Sequence, residues 1–231
     1  MLADPSRVLR NVRSYRVSSW DRSGRNTDFM QLQPGQTVRL LEERGPGKVA
    51  HFYWTTINAS RFHFRQLVLR AWWDQEPTPS IETPLGDLFG VPHSTPVVFQ
   101  SLGAVVNPGA AGVMTWGLNL YLPMPFAVSA RMELTYEPIP GVPADVMAFW
   151  YHIDLERYAE PLPGDVGRLH AQWRRENPTT SKAGTDANSR MAVSVSHRMA
   201  RASALVNGSS ARERAPGRGR SRPARTACTR A

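Results

Sequence analysis

The chain has 231 residues, with 28 Lys/Arg against 19 Asp/Glu and a formal net charge of +9. After residue 178 there are 11 Lys/Arg against Asp186 and Glu213 (11 − 2 = +9), so residues 1–178 balance at 17 to 17 and the high pI is excluded as a property of the fold. All seven Trp precede residue 178, no Phe, Trp or Tyr follows it, and the single Cys228 excludes any intrachain disulfide or Cys-built metal site.

Taken in order, Met1–Trp20 carries Arg7, Arg10, Arg13 and Arg16 but no apolar stretch long enough for a signal peptide. Ser18–Asp28 (SSWDRSGRNTD) reads as a polar loop with one large aromatic. Gln36–Glu42 is a short β-prone run, and Gly45-Pro46-Gly47 is a turn. Lys48–Asn58 and Gln66–Asp74 are rich in β-branched and aromatic residues. Pro77, Pro79 and Pro84 reduce Ser80–Thr83 to a short or edge strand. Val97–Val106, Thr115–Leu122, Ala130–Tyr136 and Val146–Asp154 complete about eight predicted strands. Leu155–Glu160 is expected to begin a helical turn that Pro161 ends.

Strands separated by turn signals, with no long amphipathic helix, predict an all-β jelly roll or β-sandwich. Nowhere do 18 apolar residues run together, so no membrane helix is expected and a cytoplasmic location is the default. Residues 179–231, rich in Arg, Ala, Ser and Gly, are expected to be a disordered tail. Two readings of it stay open: a basic arm that binds nucleic acid non-specifically, and a GC-rich gene read out of frame past codon 178. We prefer the second, because codons built only from G and C encode Ala, Arg, Gly and Pro.

Four segments carry a resemblance: Ser18–Asp28, Leu69–Gly90 (LRAWWDQEPTPSIETPLGDLFG), Asn119–Phe126 (NLYLPMPF) and Arg168–Asn177 (RLHAQWRREN). In this order and spacing they resemble glycoside hydrolase family 172, formerly domain of unknown function 2961. The resemblance implies a furanoside substrate (an α-D-fructofuranoside or a D-arabinofuranoside), no cofactor, and two jelly rolls assembled as trimers or larger homo-oligomers. Only the N-terminal roll is expected here. The family's catalytic glutamates lie in later segments resembling GEGD and GTEDY, and neither occurs in this sequence. Hydrolysis by this chain is therefore not expected, and no catalytic residue is assigned.

For substrate binding the resemblance points to Trp20, Asp21, Arg22, Asn26 and Asp28, with Asp87 in the Gly86–Gly90 segment, His93 after it, and His170. Their chemistry suits sugar hydroxyls, while composition alone favours a surface loop anchored by Trp20, and the resemblance brings the two readings level. Asp74, Glu76, Glu82 and Asp87 read as turn and edge carboxylates, their spacing being too scattered for a calcium cage. The remaining histidines show no metal-ligand spacing. A non-catalytic carbohydrate-binding or assembly module is the alternative from another class.

Overall fold

The computed structural model describes residues 11–57, 61–109 and 115–175. The predicted tail and the expected domain boundary at residue 178 lie outside them. Within them the chain forms thirteen strands and two four-residue helices, α1 (His63–Gln66) and α2 (Leu85–Leu88).

One sheet is built on two long strands, β4 (Gly47–Ile57) and β12 (Met147–Tyr158), lying side by side. β1 (Val12–Ser18) covers the free side of β12, and β2 (Met30–Leu32) pairs with its beginning. β9 (Trp116–Leu120), β8 (Ala104–Pro108) and β7 (Phe99–Gln100) extend it beyond β4, and β10 (Met124–Phe126) pairs with the start of β4. The second sheet has five strands: β13 (Ala171–Gln172), β6 (Ile81–Pro84), β5 (Leu67–Trp73), β11 (Ser129–Tyr136) and β3 (Thr37–Arg44), in that order. All pairings are antiparallel except β13 with β6.

The two sheets pack face to face as a jelly-roll β-sandwich. Alternation decides which residues meet. Along β5, Leu67, Leu69, Ala71 and Trp73 are buried while Val68, Arg70 and Trp72 are not. Along β12, Phe149, Tyr151, Ile153 and Leu155 point inward, and Trp150, His152 and Asp154 are on the outside. Trp54 and Phe149 stack at 4.4 Å between centroids in the middle of the core. Two wholly buried aromatics in contact make this the region least tolerant of truncation.

Three details differ from the sequence reading. Leu155–Glu160 begins no helix: β12 runs on to Tyr158, because strands on both of its flanks supply hydrogen bonds. Val97–Val106 is a hairpin, interrupted at residues 101–103, where Ser101 Oγ accepts from the Ala104 amide at 3.0 Å. β1, β2, β10 and β13 were not foreseen, being short or polar strands whose pairing comes from tertiary context. Among the described residues, no helix is long and apolar enough to cross a membrane.

Candidate functional site

The outer face of the larger sheet owes its chemistry to one extra residue. On β4 the register passes from Asp154↔His51 directly to Leu155↔Val49, so Ala50 is bulged. With Val49 inward, strict alternation would send His51 into the core and Phe52 out. The bulge reverses that phase. Phe52 and Trp54 enter the core, and His51 lies outside beside Asp154.

Asp154 is the hub of this face. Arg16 reaches it from β1 with Nε 2.6 Å from Oδ1 and Nη2 3.0 Å from Oδ2, a bidentate pair. His51 Nδ1 lies 2.9 Å from the same Oδ2, and His51 Nε2 lies 3.1 Å from Asn119 Oδ1 on β9. Tyr121 stacks on the His51 ring at 4.6 Å. The Arg16 hydrogen bond, and then that of His51, hold the Asp154 carboxyl below the usual range against partial burial. His152, next in line toward the start of β12, is held below the usual histidine range by burial first and by the Arg16 charge second. A shallow hollow of about 420 Å³ lies beyond it, between Tyr53, Thr55, Trp150 and His152.

The Ser18–Asp28 loop rises from the end of β1, where Ser18 pairs with His152. Asp21 organises it. Its Oδ1 accepts from Ser23 N at 2.8 Å and Ser23 Oγ at 2.7 Å, and its Oδ2 accepts from Arg25 N at 3.0 Å and Thr27 N at 2.9 Å. The Ser23 hydroxyl leads, with these amides, in lowering the Asp21 carboxyl to about 2. Asn26 takes a left-handed conformation, φ 64°, that suits the tight course of the loop. Asp28 Oδ1 accepts from the Trp150 indole at 2.9 Å and so ties the loop to the rim of the hollow. Trp20 is left 55% exposed, with the Arg22 guanidinium 5.3 Å from its ring centroid.

Five of the sequence-predicted residues therefore belong to this loop, in two kinds of position. Asp21 and Asp28 shape it, while Trp20, Arg22 and Asn26 face solvent. The other three lie elsewhere. Asp87 is in α2 (Leu85–Leu88), where its Oδ2 lies 3.4 Å from Arg65 Nε, and His93 borders a cleft on the outside of the smaller sheet. Gly86 beside Asp87 admits no side chain, since a Cβ there would lie 2.8 Å from both Phe64 Cβ and Val91 O. His170 is exposed just before β13 and borders neither hollow. The sandwich thus sets the five loop residues apart from His93, and His170 belongs with neither.

Sequence reasoning missed His51, Asn119, Tyr121, His152 and Asp154. The available signal was the spacing of apolar residues in Val49–Trp54: positions 49, 52 and 54 break period two once and mark the phase slip. Asp74, read as a turn carboxylate, has that role. It accepts the amides of Ala127, Val128 and Ser129 at 2.8, 2.7 and 3.3 Å and the Arg168 Nε at 2.5 Å. Among the described residues no group of three or more His, Cys, Asp or Glu is placed to hold a metal ion.

A family model described as GH172 domain-like matches residues 23–146. No curated protein matches the chain. Among solved structures, that of the infectious bursal disease virus Gx strain is 14% identical, covering 71% of this chain and 37% of the viral one, at a TM-score of 0.34. The VP2 subviral particle of infectious bursal disease virus is 12% identical, covering 71% and 38%, at a TM-score of 0.31. The chain thus spans little more than a third of the length of those viral chains, and no residue role is carried over from them.

Proposed function

The chain belongs to the GH172 domain-like family, and from that premise we propose that it is the furanoside-binding, non-hydrolytic sandwich of a glycoside hydrolase-like protein. The observation that carries the reading is the Asp21-organised loop. Four hydrogen bonds to one carboxylate fix the loop before any ligand arrives, which lowers the ordering cost of binding. They leave Trp20, with Arg22 beside it, exposed next to a hollow edged by Trp150, Tyr53 and His152. A furanose ring would place its apolar side on the indole and its hydroxyls toward Arg22 and Asn26.

Hydrolysis is a different matter. Cleavage by paired carboxylates needs one group protonated to assist the leaving oxygen. Asp21 and Asp154, near this face, are both held below the usual carboxylate range, so neither suits the part of the proton donor. In the complete assembly the two glutamates would come from a second sandwich, and residues 1–178 would form the first.

The test is a titration of the chain with a D-arabinofuranosyl tetrasaccharide and with difructose dianhydride, alongside a turnover assay on an aryl α-D-arabinofuranoside. Saturable binding abolished by Trp20→Ala, without turnover, is the expected result. Robust turnover would overturn the non-hydrolytic part, and absence of affinity for any furanoside would overturn the binding part.

The assembly reading rests on its own observation. Val97, Val98, Leu102 and Leu122 are exposed around β7–β9, and Leu122 approaches Gly103 beside Leu102. Such an apolar strip at a sheet edge is suited to self-association. Light scattering of the chain against a Leu102→Lys variant separates a homo-oligomer from a monomer.

A further inference from the structure

We propose that the outer face of the smaller sheet carries a second, independent binding site for a neutral saccharide. The site is a cleft of about 780 Å³, within the range of roughly 300–1,000 Å³ usual for small-molecule sites. It lies over the outward residues of β5 and β6, on the side of the sandwich opposite the Trp20 loop.

The floor is a fixed lattice of paired charges. Arg70 donates from Nε to Glu82 Oε1 at 2.8 Å, from Nη2 to Glu137 Oε1 at 2.7 Å and from Nη1 to Thr135 Oγ1 at 3.3 Å. The guanidinium plane is thereby locked by groups from two segments, β6 and the end of β11. Arg70 engages one oxygen of each glutamate, and both glutamate side chains remain close to half exposed. They retain capacity to accept hydrogen bonds from a ligand.

The walls are aromatic. Phe62 is 38% exposed and Trp173 is 37% exposed, and both line the cleft. Arg65 joins them, its guanidinium 5.2 Å from the Trp173 ring centroid and its Nε 3.4 Å from Asp87. His93 stands at the border on two consecutive left-handed residues, φ 60° at His93 and 57° at Ser94. That strained turn is held from beneath, where the buried Ser94 Oγ accepts the Phe64 amide at 3.1 Å.

The ligand class follows from the charge count. Arg65, Arg70, Arg174 and Arg175 stand against Glu82 and Glu137 in the lining and Asp87 behind it. The cations outnumber the carboxylates, but Arg65 stands beside Asp87, Arg174 and Arg175 are exposed, and on the floor the two glutamates outnumber Arg70 and would repel an anion there. A flat apolar wall beside fixed alternating donors and acceptors instead matches a ring with an apolar face and hydroxyls, each hydroxyl both donor and acceptor.

The inference does not depend on the furanoside reading of the opposite face, and the experiment keeps the two apart. The full chain is titrated with a D-arabinofuranosyl tetrasaccharide, with cellotetraose and with a tetrasaccharide of uronic acids, following the tryptophan indole N–H resonances by NMR. The Trp173 signal, assigned with Trp173→Phe, reports the cleft, and the Trp20 signal reports the loop. We expect at least one neutral probe to shift Trp173 saturably, and equally in Trp20→Ala, with affinity measured by calorimetry in the Trp20→Ala background falling tenfold or more on adding Trp173→Ala or Arg70→Met. Trp173→Phe should bind within threefold of wild type, a rescue that a folding defect would not give. The proposal is overturned if neither neutral probe moves the Trp173 signal, if the uronic tetrasaccharide binds there more tightly, or if binding survives both cleft variants. Loss of the Trp20 response alone would remove the furanoside reading and leave this one standing.

Discussion

The two outer faces of this sandwich are built by the same alternation and yet carry different chemistry. On the larger sheet the outward positions are mainly aromatic and imidazole groups: His51 is hydrogen-bonded to Asn119 and to the carboxylate of Asp154, and the Tyr53 ring lies against His152 beside Trp150. On the smaller sheet they are a ladder of ions. Arg39 meets Glu42 and Glu133, Arg70 meets Glu82 and Glu137, and Arg131 lies 3.9 Å over Trp72. The difference teaches where each face gets its precision. The first relies on a bulge that sets the phase of one strand, the second on long side chains that brace one another. A bulged backbone tolerates little change, whereas exposed ion pairs can be removed one at a time at small cost.

The largest expected effect tests whether the ionic side is only decoration. Asp74, at the end of β5, holds three backbone amides and Arg168. Asp74→Ala would leave these donors and the partly buried guanidinium uncompensated, at a cost of about 3–5 kcal/mol. Urea unfolding measures this, and a loss below 1 kcal/mol would mean that the lock is dispensable. The same group predicts an acid limb. Burial opposes its ionisation, but the Val128 amide and Arg168 outweigh that and lower its folded-state pKa. Its contribution is complete above the unfolded value of about 3.9 and is lost as pH falls through the folded value. Asp74→Asn should flatten that limb.

A smaller effect probes the backing of the His93 turn. Gly86→Ala places a methyl against Phe64 and the Val91 carbonyl, and should cost about 1–3 kcal/mol by overpacking. An unchanged melting temperature would show that α2 yields freely.

On the opposite face, Trp20→Ala should leave stability within about 0.5 kcal/mol, because the side chain is mostly exposed, while furanoside affinity falls at least tenfold. Equal losses in affinity and in stability would reassign Trp20 to the fold.

The smallest expected effect concerns Arg16. Its pair with Asp154 is half exposed, so Arg16→Ala should cost under about 1 kcal/mol. Arg16 is also one of the charges that lower the His152 pKa. The variant should therefore raise the His152 midpoint in an NMR titration. A downward shift would mean that Asp154 and Arg16 do not act on that ring as described.

The core of the sandwich was legible because a strand with one fully buried face writes large apolar residues into the sequence at every second position. The runs over Lys48–Asn58, Gln66–Asp74 and Ala130–Tyr136 correspond to β4, β5 and β11 within a residue or so. Strands with polar surfaces were not legible. β1 reads Val-Arg-Ser-Tyr-Arg-Val-Ser, and it is a strand because β12 offers a free edge. The candidate face was legible only in its loop. Trp20 and its neighbours are contiguous, whereas Arg16, His51, Asn119 and Asp154 come from four strands, and only the register brings them together. Resemblance placed Asp87 and His93 with the loop, a grouping that the two-layer architecture pulls apart.

The pairing of β1 with β12 has a consequence for how the molecule comes into being. Val12 lies opposite Tyr158, 146 positions later (158 − 12), and β6 waits for Ala171 in the same way. Contacts of such separation place the chain among slow-folding topologies, with refolding expected on the scale of milliseconds to seconds. During synthesis at roughly 5–20 residues per second, β1 is made well before β12 and its hydrogen-bonding edge stays open for about 7–30 seconds. The cations Arg13 and Arg16 on that edge guard it in the interval, since charge on an unpaired strand discourages the wrong partner. Arg16 thus serves the nascent chain before it serves Asp154.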